Sequence, residues 1–156
     1  VKMRLNRNAF AAARRLVAWS QWARDSLVAD YGVDPAKVEV IPPGIDVARW
    51  DFGPRPEKEV LELLVVGGDF PRKGGDTLLD AWGRLPEGAR RRAHLHVVTR
   101  TEGVGDGVEG VTVHRGVSPN SPELLGLFRR ADAFVFPTRG DCLPLAVLEA
   151  LASGLP

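Results

Sequence analysis

A chain of 156 residues with 44% hydrophobic and 26% charged side chains can fill a core and is too apolar for wholesale disorder. Its formal net charge of +1 gives no electrostatic case for a nucleic-acid partner. The single cysteine, Cys142, excludes an internal disulfide and points to a reducing, cytoplasmic setting; no apolar run approaches the roughly 20 residues that span a bilayer, and VKMRLNRNAF lacks a signal peptide's apolar stretch.

Helical pattern opens the chain over residues 2–15, with Leu5, Phe10 and Ala13 set among Lys2, Arg4, Arg7, Arg14 and Arg15. This basic helix is a candidate for peripheral contact with an anionic membrane surface. LVAWS (16–20) predicts a short buried strand, and Ser20 is placed to cap the helix QWARDSLVADYG, which Gly32 stops. VEVIPPGID (38–46) predicts a strand ending in a turn. RWDFGPRPEKE, with Gly53, Pro54 and Pro56, reads as a linker.

Alternation then restarts. VLELLVV (60–66) is nearly continuous in apolar residues, as for a strand covered on both faces. A helix over 77–85 carries Leu78, Leu79, Trp82 and Leu85 along one side. AHLHVV and VTVH are strands separated by the turn EGVGDGVEG, SPELLGLFRRA is a helix capped by Ser121, and DAFVFP (132–137) is a further strand. Strands alternating with helices predict a parallel α/β sheet. The pattern breaks off at Gly154-Leu155-Pro156 with a strand still expected, so the sheet is expected to be incomplete.

Two segments carry chemistry. In VVGGDFPRKGGDTLL, Gly67 and Gly68 follow the strand, and Arg72 and Lys73 precede Gly74-Gly75 and the helix. Glycines let backbone approach a ligand, and the two cations could neutralise a pyrophosphate. The dinucleotide pattern G-x-G-x-x-G fails because Asp69 replaces its second glycine, and the P-loop fails because no Ser or Thr follows the lysine. In DCLPLAVLEALASGLP, Pro144 suits a first helical position, and the helix is aliphatic all round except for Glu149. Asp141 waits in the loop ahead. A strand turning through a Gly-containing loop into a helix offers N–H groups to a phosphate, and carboxylates accept from sugar hydroxyls. The pattern points to a nucleotide-sugar site.

The loop GGDFPRKGGDTLLDAW, the stretch ELLGLFRRADAFVFPT and the ending DCLPLAVLEALASGLP resemble the C-terminal domain of glycosyltransferase family 4, retaining enzymes of the two-domain GT-B fold. LVAWSQWARDSL and VEVIPPGID resemble the end of that family's N-terminal domain. The resemblance implies a Rossmann-like parallel sheet flanked by helices over residues 54–156, an incomplete donor-binding domain, preceded at 1–53 by the tail of the acceptor-side domain and a linker. It implies two carboxylates separated by seven residues, here Asp141 and Glu149, with Glu149 accepting from the donor's ribose hydroxyls and Asp141 facing the donor sugar. Asp stands at position 141 where the family usually has Glu. The resemblance makes Lys73 a diphosphate ligand and puts an arginine where this chain has Gly68; Arg72 is the chemical candidate to replace it. Backbone N–H groups near Leu143, Pro144 and Leu145 would add to the phosphate cradle, and His114-Arg115-Gly116 would lie near the base. The implied reaction moves a sugar from a nucleoside-diphosphate donor to an acceptor with retention, without a cofactor or metal. Sequence alternatives are another GT-B-type enzyme, such as a sugar-nucleotide epimerase, or a non-catalytic nucleotide-binding module.

Other signals have plainer readings. His94 and His96 share a strand face with His114 nearby and read as ordinary hydrogen-bonded residues. Arg90-Arg91-Arg92 reads as a solvated turn, and Trp19, Trp22 and Trp50 as core and interdomain packing. Cys142 has no adjacent His to make it a nucleophile.

Overall fold

In a computed structural model describing residues 2–156, the strand–helix alternation is retained. α1 (Lys2–Ala12) leads to β1 (Leu16–Ala18), α2 (Gln21–Ala29), a short 3-10 turn at Pro35–Lys37 and β2 (Val38–Val40). Ser20 caps α2 as its residue type predicts, accepting from the Ala23 N–H at 3.1 Å. β1 and β2 pair in parallel as a two-stranded sheet. Ala18, Val33 and Val38 are the buried centre of this part, with Phe10 set edge-on to Tyr31 beside them. Two expectations are corrected here. Within residues 16–20 only Ala18 is buried, and Val17 is 56% exposed. Trp19 and Trp22 are not buried in the core of this unit, at 52% and 80% exposure.

A second compact unit runs Ile45–Pro156 and takes in the segment around Trp50. That residue ends the short helix α3 (Val47–Trp50), is 1% exposed, and meets Phe128 edge-on at 5.0 Å inside the core of the later segment. Burial of so large a ring commits its neighbours to the same unit.

This unit continues with β3 (Leu61–Val66), α4 (Gly75–Gly83), α5 (Glu87–Arg90), β4 (Ala93–Val98), β5 (Val111–His114), α6 (Pro122–Arg130), β6 (Ala133–Phe134) and α7 (Leu145–Ala152). Its four strands are all parallel in the order β5-β4-β3-β6. β3 is central, and alternation along it feeds two cores. Leu64 faces Trp50, Leu124, Leu127, Phe128 and Ala150, whereas Val65 faces Phe70, Trp82, Leu95 and Val97. Ser121 caps α6, accepting from Leu124 N–H at 3.1 Å. Several boundaries move: α1 ends at Ala12, β2 ends at Val40, and β6 keeps only Ala133–Phe134 of residues 132–137; α4 begins at Gly75, ends before Leu85 and leaves that residue 37% exposed; α7 begins at Leu145, with Pro144 as an extended N-cap; and Arg90 belongs to α5, where Arg91 pairs with Glu87 at 3.0 Å. No helix among the described residues is long and apolar enough to cross a membrane.

The histidines form a cross-strand chain. His96 Nε2 lies 2.6 Å from Glu62, its Nδ1 lies 3.0 Å from His114 Nε2, and His94 meets the Thr112 hydroxyl at 2.8 Å. Burial holds both His96 and His114 below the ordinary imidazole value. In the unfolded chain they titrate near about 6.5, so that state takes up protons first as the pH falls. Their contribution to stability is therefore full above that value and is lost as the pH drops through their folded values. Thermal melts should show the midpoint falling between pH 7.5 and 5, with a flatter slope in His96→Asn; an equal slope in both would remove this chain as its source.

Candidate functional site

The strand order places the loops that matter. From β3 the chain moves outward through β4 to β5, then returns to β6 on the other side of β3, and loops leaving the two neighbours diverge at such a reversal. A cleft of about 300 Å³ opens there over the carboxyl ends of the strands. Val66, Gly67 and Gly68 border it after β3, Thr99 and Arg100 after β4, Gly116 and Val117 after β5, and Leu145 and Glu149 from α7.

Glu149 is half-buried, and its carboxylate accepts no hydrogen bond among the described residues. Burial raises its pKa above the ordinary carboxyl value. An ionised carboxylate removed from water without a donor is costly, and such groups mark places where a ligand supplies the donor. The local cause is clear from sequence: every other residue of α7 is aliphatic, so the helix is drawn onto the core and carries its one acid with it.

The two glycines after β3 have separate tasks. A Cβ at Gly67 would stand 2.7 Å from Lys73 Cγ, and one at Gly68 would stand 2.9 Å from an Arg100 guanidinium nitrogen. Each glycine thus seats the stem or head of a cation. Lys73 reaches across to form an ion pair with Asp141 and lies 5.2 Å from the Phe136 ring centroid. The ammonium holds the Asp141 carboxyl below its usual value, aided by the Cys142 N–H, which donates to the same carboxylate at 3.0 Å.

Arg72 and Arg139 brace the loops. Arg72 donates to the Gly140 carbonyl at 3.0 Å and pairs with Asp69 at 3.4 Å. Arg139 donates to the Pro71 carbonyl, to Asp76 and to Thr77, all within 3.0 Å. The loop after β6 is thereby tied to the loop after β3. Arg115 grips Asp106 with both guanidinium nitrogens at 2.8 and 2.9 Å, which commits it to the glycine-rich turn.

Of the residues singled out from sequence, Gly67, Gly68, Gly116, Leu145 and Glu149 border the cleft together. Lys73 and Asp141 meet each other beside it, while Leu143 and Pro144 lead into α7, whose N-terminus no side chain caps. Arg72 and Arg115 are engaged elsewhere. Sequence reasoning missed Thr99 and Arg100. Their signal was positional, since residues directly after a parallel strand's carboxyl end are where ligands lie in such sheets.

Residues 61–156 match the family described as glycosyl transferases group 1, and residues 1–49 match glycosyltransferase family 4. A D-inositol 3-phosphate glycosyltransferase of Actinosynnema mirum is 34% identical over 94% of this chain and 40% of its own. A glycogen synthase of Mycobacterium tuberculosis is 33% identical over 90% of this chain and 36% of its own. The chain therefore spans about two fifths of the length of these relatives. Among solved structures, WaaG, a glycosyltransferase involved in lipopolysaccharide biosynthesis, superposes with a TM-score of 0.74 at 24% identity, covering 91% of this chain and 43% of that one. HepE of Anabaena, in complex with UDP and glucose, superposes at 0.75 with 18% identity, covering 99% and 46%. The shared architecture is the GT-B fold.

Proposed function

The chain belongs to the glycosyl transferases of group 1, and from that premise we propose that its second unit binds a nucleoside-diphosphate-sugar donor and serves a retaining transfer of that sugar. The observation that carries the reading is Glu149. A half-buried carboxylate without a donor faces a cleft at the reversal point of a parallel sheet, and ribose hydroxyls are donors of the right kind. HepE, which shares the fold, is described in complex with UDP and glucose, and a uridine diphosphate therefore heads the candidates.

In this reading Glu149 fixes the ribose. The diphosphate lies against the loop after β3 and the uncapped start of α7, where an anion is favoured by about 0.3–1 kcal/mol when exposed. Lys73 is released from Asp141 when phosphate oxygens replace that carboxylate, and Asp141 then turns to the hydroxyls of the donor sugar. Transfer passes through an oxocarbenium-like transition state as negative charge grows on the departing diphosphate. Once Lys73 has exchanged Asp141 for the phosphate oxygens in the bound complex, it already faces the growing charge when transfer begins, which lowers the barrier. The transfer is metal-independent, and the acceptor is bound by parts of the protein outside this unit.

Calorimetric titration of UDP, GDP and ADP into the chain tests the reading. One of them should bind at millimolar to micromolar concentration, about 4–8 kcal/mol, and Lys73→Ala should weaken it by roughly tenfold or more. Absence of binding by all three would overturn the donor reading.

A further inference from the structure

The cations around the cleft are not equivalent. Lys73 is neutralised by Asp141, Arg72 by Asp69, Arg139 by Asp76 and Arg115 by Asp106. Arg100 borders the cleft directly, and among the described residues no carboxylate or carbonyl accepts from its guanidinium. Its backbone is anchored instead: the Arg100 N–H donates to the Gly68 carbonyl at 3.4 Å, and Thr99 and Thr101 hydroxyls reach that carbonyl at the same distance. The side chain lies over the bare α-carbon of Gly68, with three guanidinium atoms between 2.9 and 3.1 Å of where a Cβ would stand. Any side chain at position 68 would push it away.

We propose that Arg100 is the diphosphate-binding arginine of this site, with Gly68 kept bare to seat it. The assignment rests on the donor reading above and names a ligand that reading did not contain. A planar guanidinium presents paired N–H donors that match two phosphate oxygens at once, and its charge needs no release from a protein partner before the ligand arrives. Lys73 differs, since it must first give up Asp141. Arg100 therefore sets the affinity for the anion in the ground state, whereas Lys73 exchanges one anion for another.

The test uses UDP, GDP and ADP with the corresponding nucleosides, titrated into the unaltered chain, Arg100→Met, Gly68→Ala and the double variant. Arg100→Met should weaken the nucleoside diphosphate by about 10- to 100-fold and leave the nucleoside unchanged, the loss usual for a hydrogen bond to a charged group. Gly68→Ala should bring a similar loss by displacing the guanidinium, and in the Arg100→Met background it should bring no further loss. Arg100→Lys should restore part of the affinity. Equal affinities in the unaltered chain and Arg100→Met overturn the assignment while the donor reading stands. Additive losses in the double variant also overturn it, because Gly68 would then act by another route. If no diphosphate binds the unaltered chain, both readings fall.

Discussion

Glu149→Gln should lower the affinity for the bound nucleoside diphosphate by about 10- to 100-fold and at the same time raise the melting temperature at pH 7. Gain and loss have the same origin. Burial raises the Glu149 pKa, so its folded value lies above the unfolded one. A group shifted in that direction contributes stability only below its unfolded value, and the contribution is lost as the pH rises through the folded value. At neutral pH the carboxylate is therefore ionised against the preference of its surroundings, and the neutral isostere relieves that cost. Binding suffers because the ribose hydroxyls lose a charged acceptor, and hydrogen bonds to charged groups are worth about 1.5–3 kcal/mol. Melting curves at pH 4 and pH 7 separate the two effects: the stability gain should be large at pH 7 and small at pH 4. A 2′,3′-dideoxy diphosphate should bind the unaltered chain as weakly as the ordinary one binds Glu149→Gln, with no further loss when both changes are combined. An unchanged affinity for the ordinary diphosphate would remove Glu149 from the site, and a lowered melting temperature would show that its carboxylate has a stabilising partner.

Much of this arrangement could be read before any coordinates. The parallel α/β sheet follows from apolar runs such as 60–66 alternating with amphipathic helices, and both Ser20 and Ser121 cap the helices they precede. Glu149 is conspicuous because α7 is otherwise aliphatic. What sequence does not contain is which charges are spent on one another. Arg72 and Lys73 look alike as neighbours, yet one braces the Gly140 loop and the other faces Asp141. Arg100 carries no motif and gains meaning only when β4 pairs beside β3 and brings its carboxyl end against Gly68. Trp50 reads from sequence as a packing residue, and it is one. Its segment is rich in breakers and reads as a linker, but burial of one indole against Phe128 outweighs the flexibility of its surroundings. Trp22, in a better helical pattern, remains exposed.

Gly74→Ala should be the most damaging single change in the loop that presents Lys73. Gly74 has φ +73, a left-handed conformation that costs an ordinary residue about 1–2 kcal/mol. The added methyl would also stand 2.0 Å from the Pro137 carbonyl oxygen and 2.8 Å from its carbon. These are backbone atoms, and the segment is held in place because Val135 N–H donates to Leu64 and Arg139 clasps Asp76 and Thr77. Neither side can yield as a flexible side chain would, and forced overpacking adds about 1–3 kcal/mol or more. Urea unfolding should therefore show a loss on the order of 3–5 kcal/mol, a large part of what holds an ordinary domain together. Gly83→Ala is the control: it ends the helix that Gly74 precedes, meets nothing within 4 Å, and should gain up to about 1 kcal/mol from helix propensity. The functional reading depends on the same contact. Gly74 is where the loops after β3 and β6 touch, so relieving the clash shifts the loop that aims Lys73 at the cleft. At urea concentrations where Gly74→Ala is still folded, it should bind diphosphate more weakly than the unaltered chain. A variant that kept both full stability and full affinity would mean that the two loops move independently, and that the position of Lys73 does not set the affinity for the diphosphate.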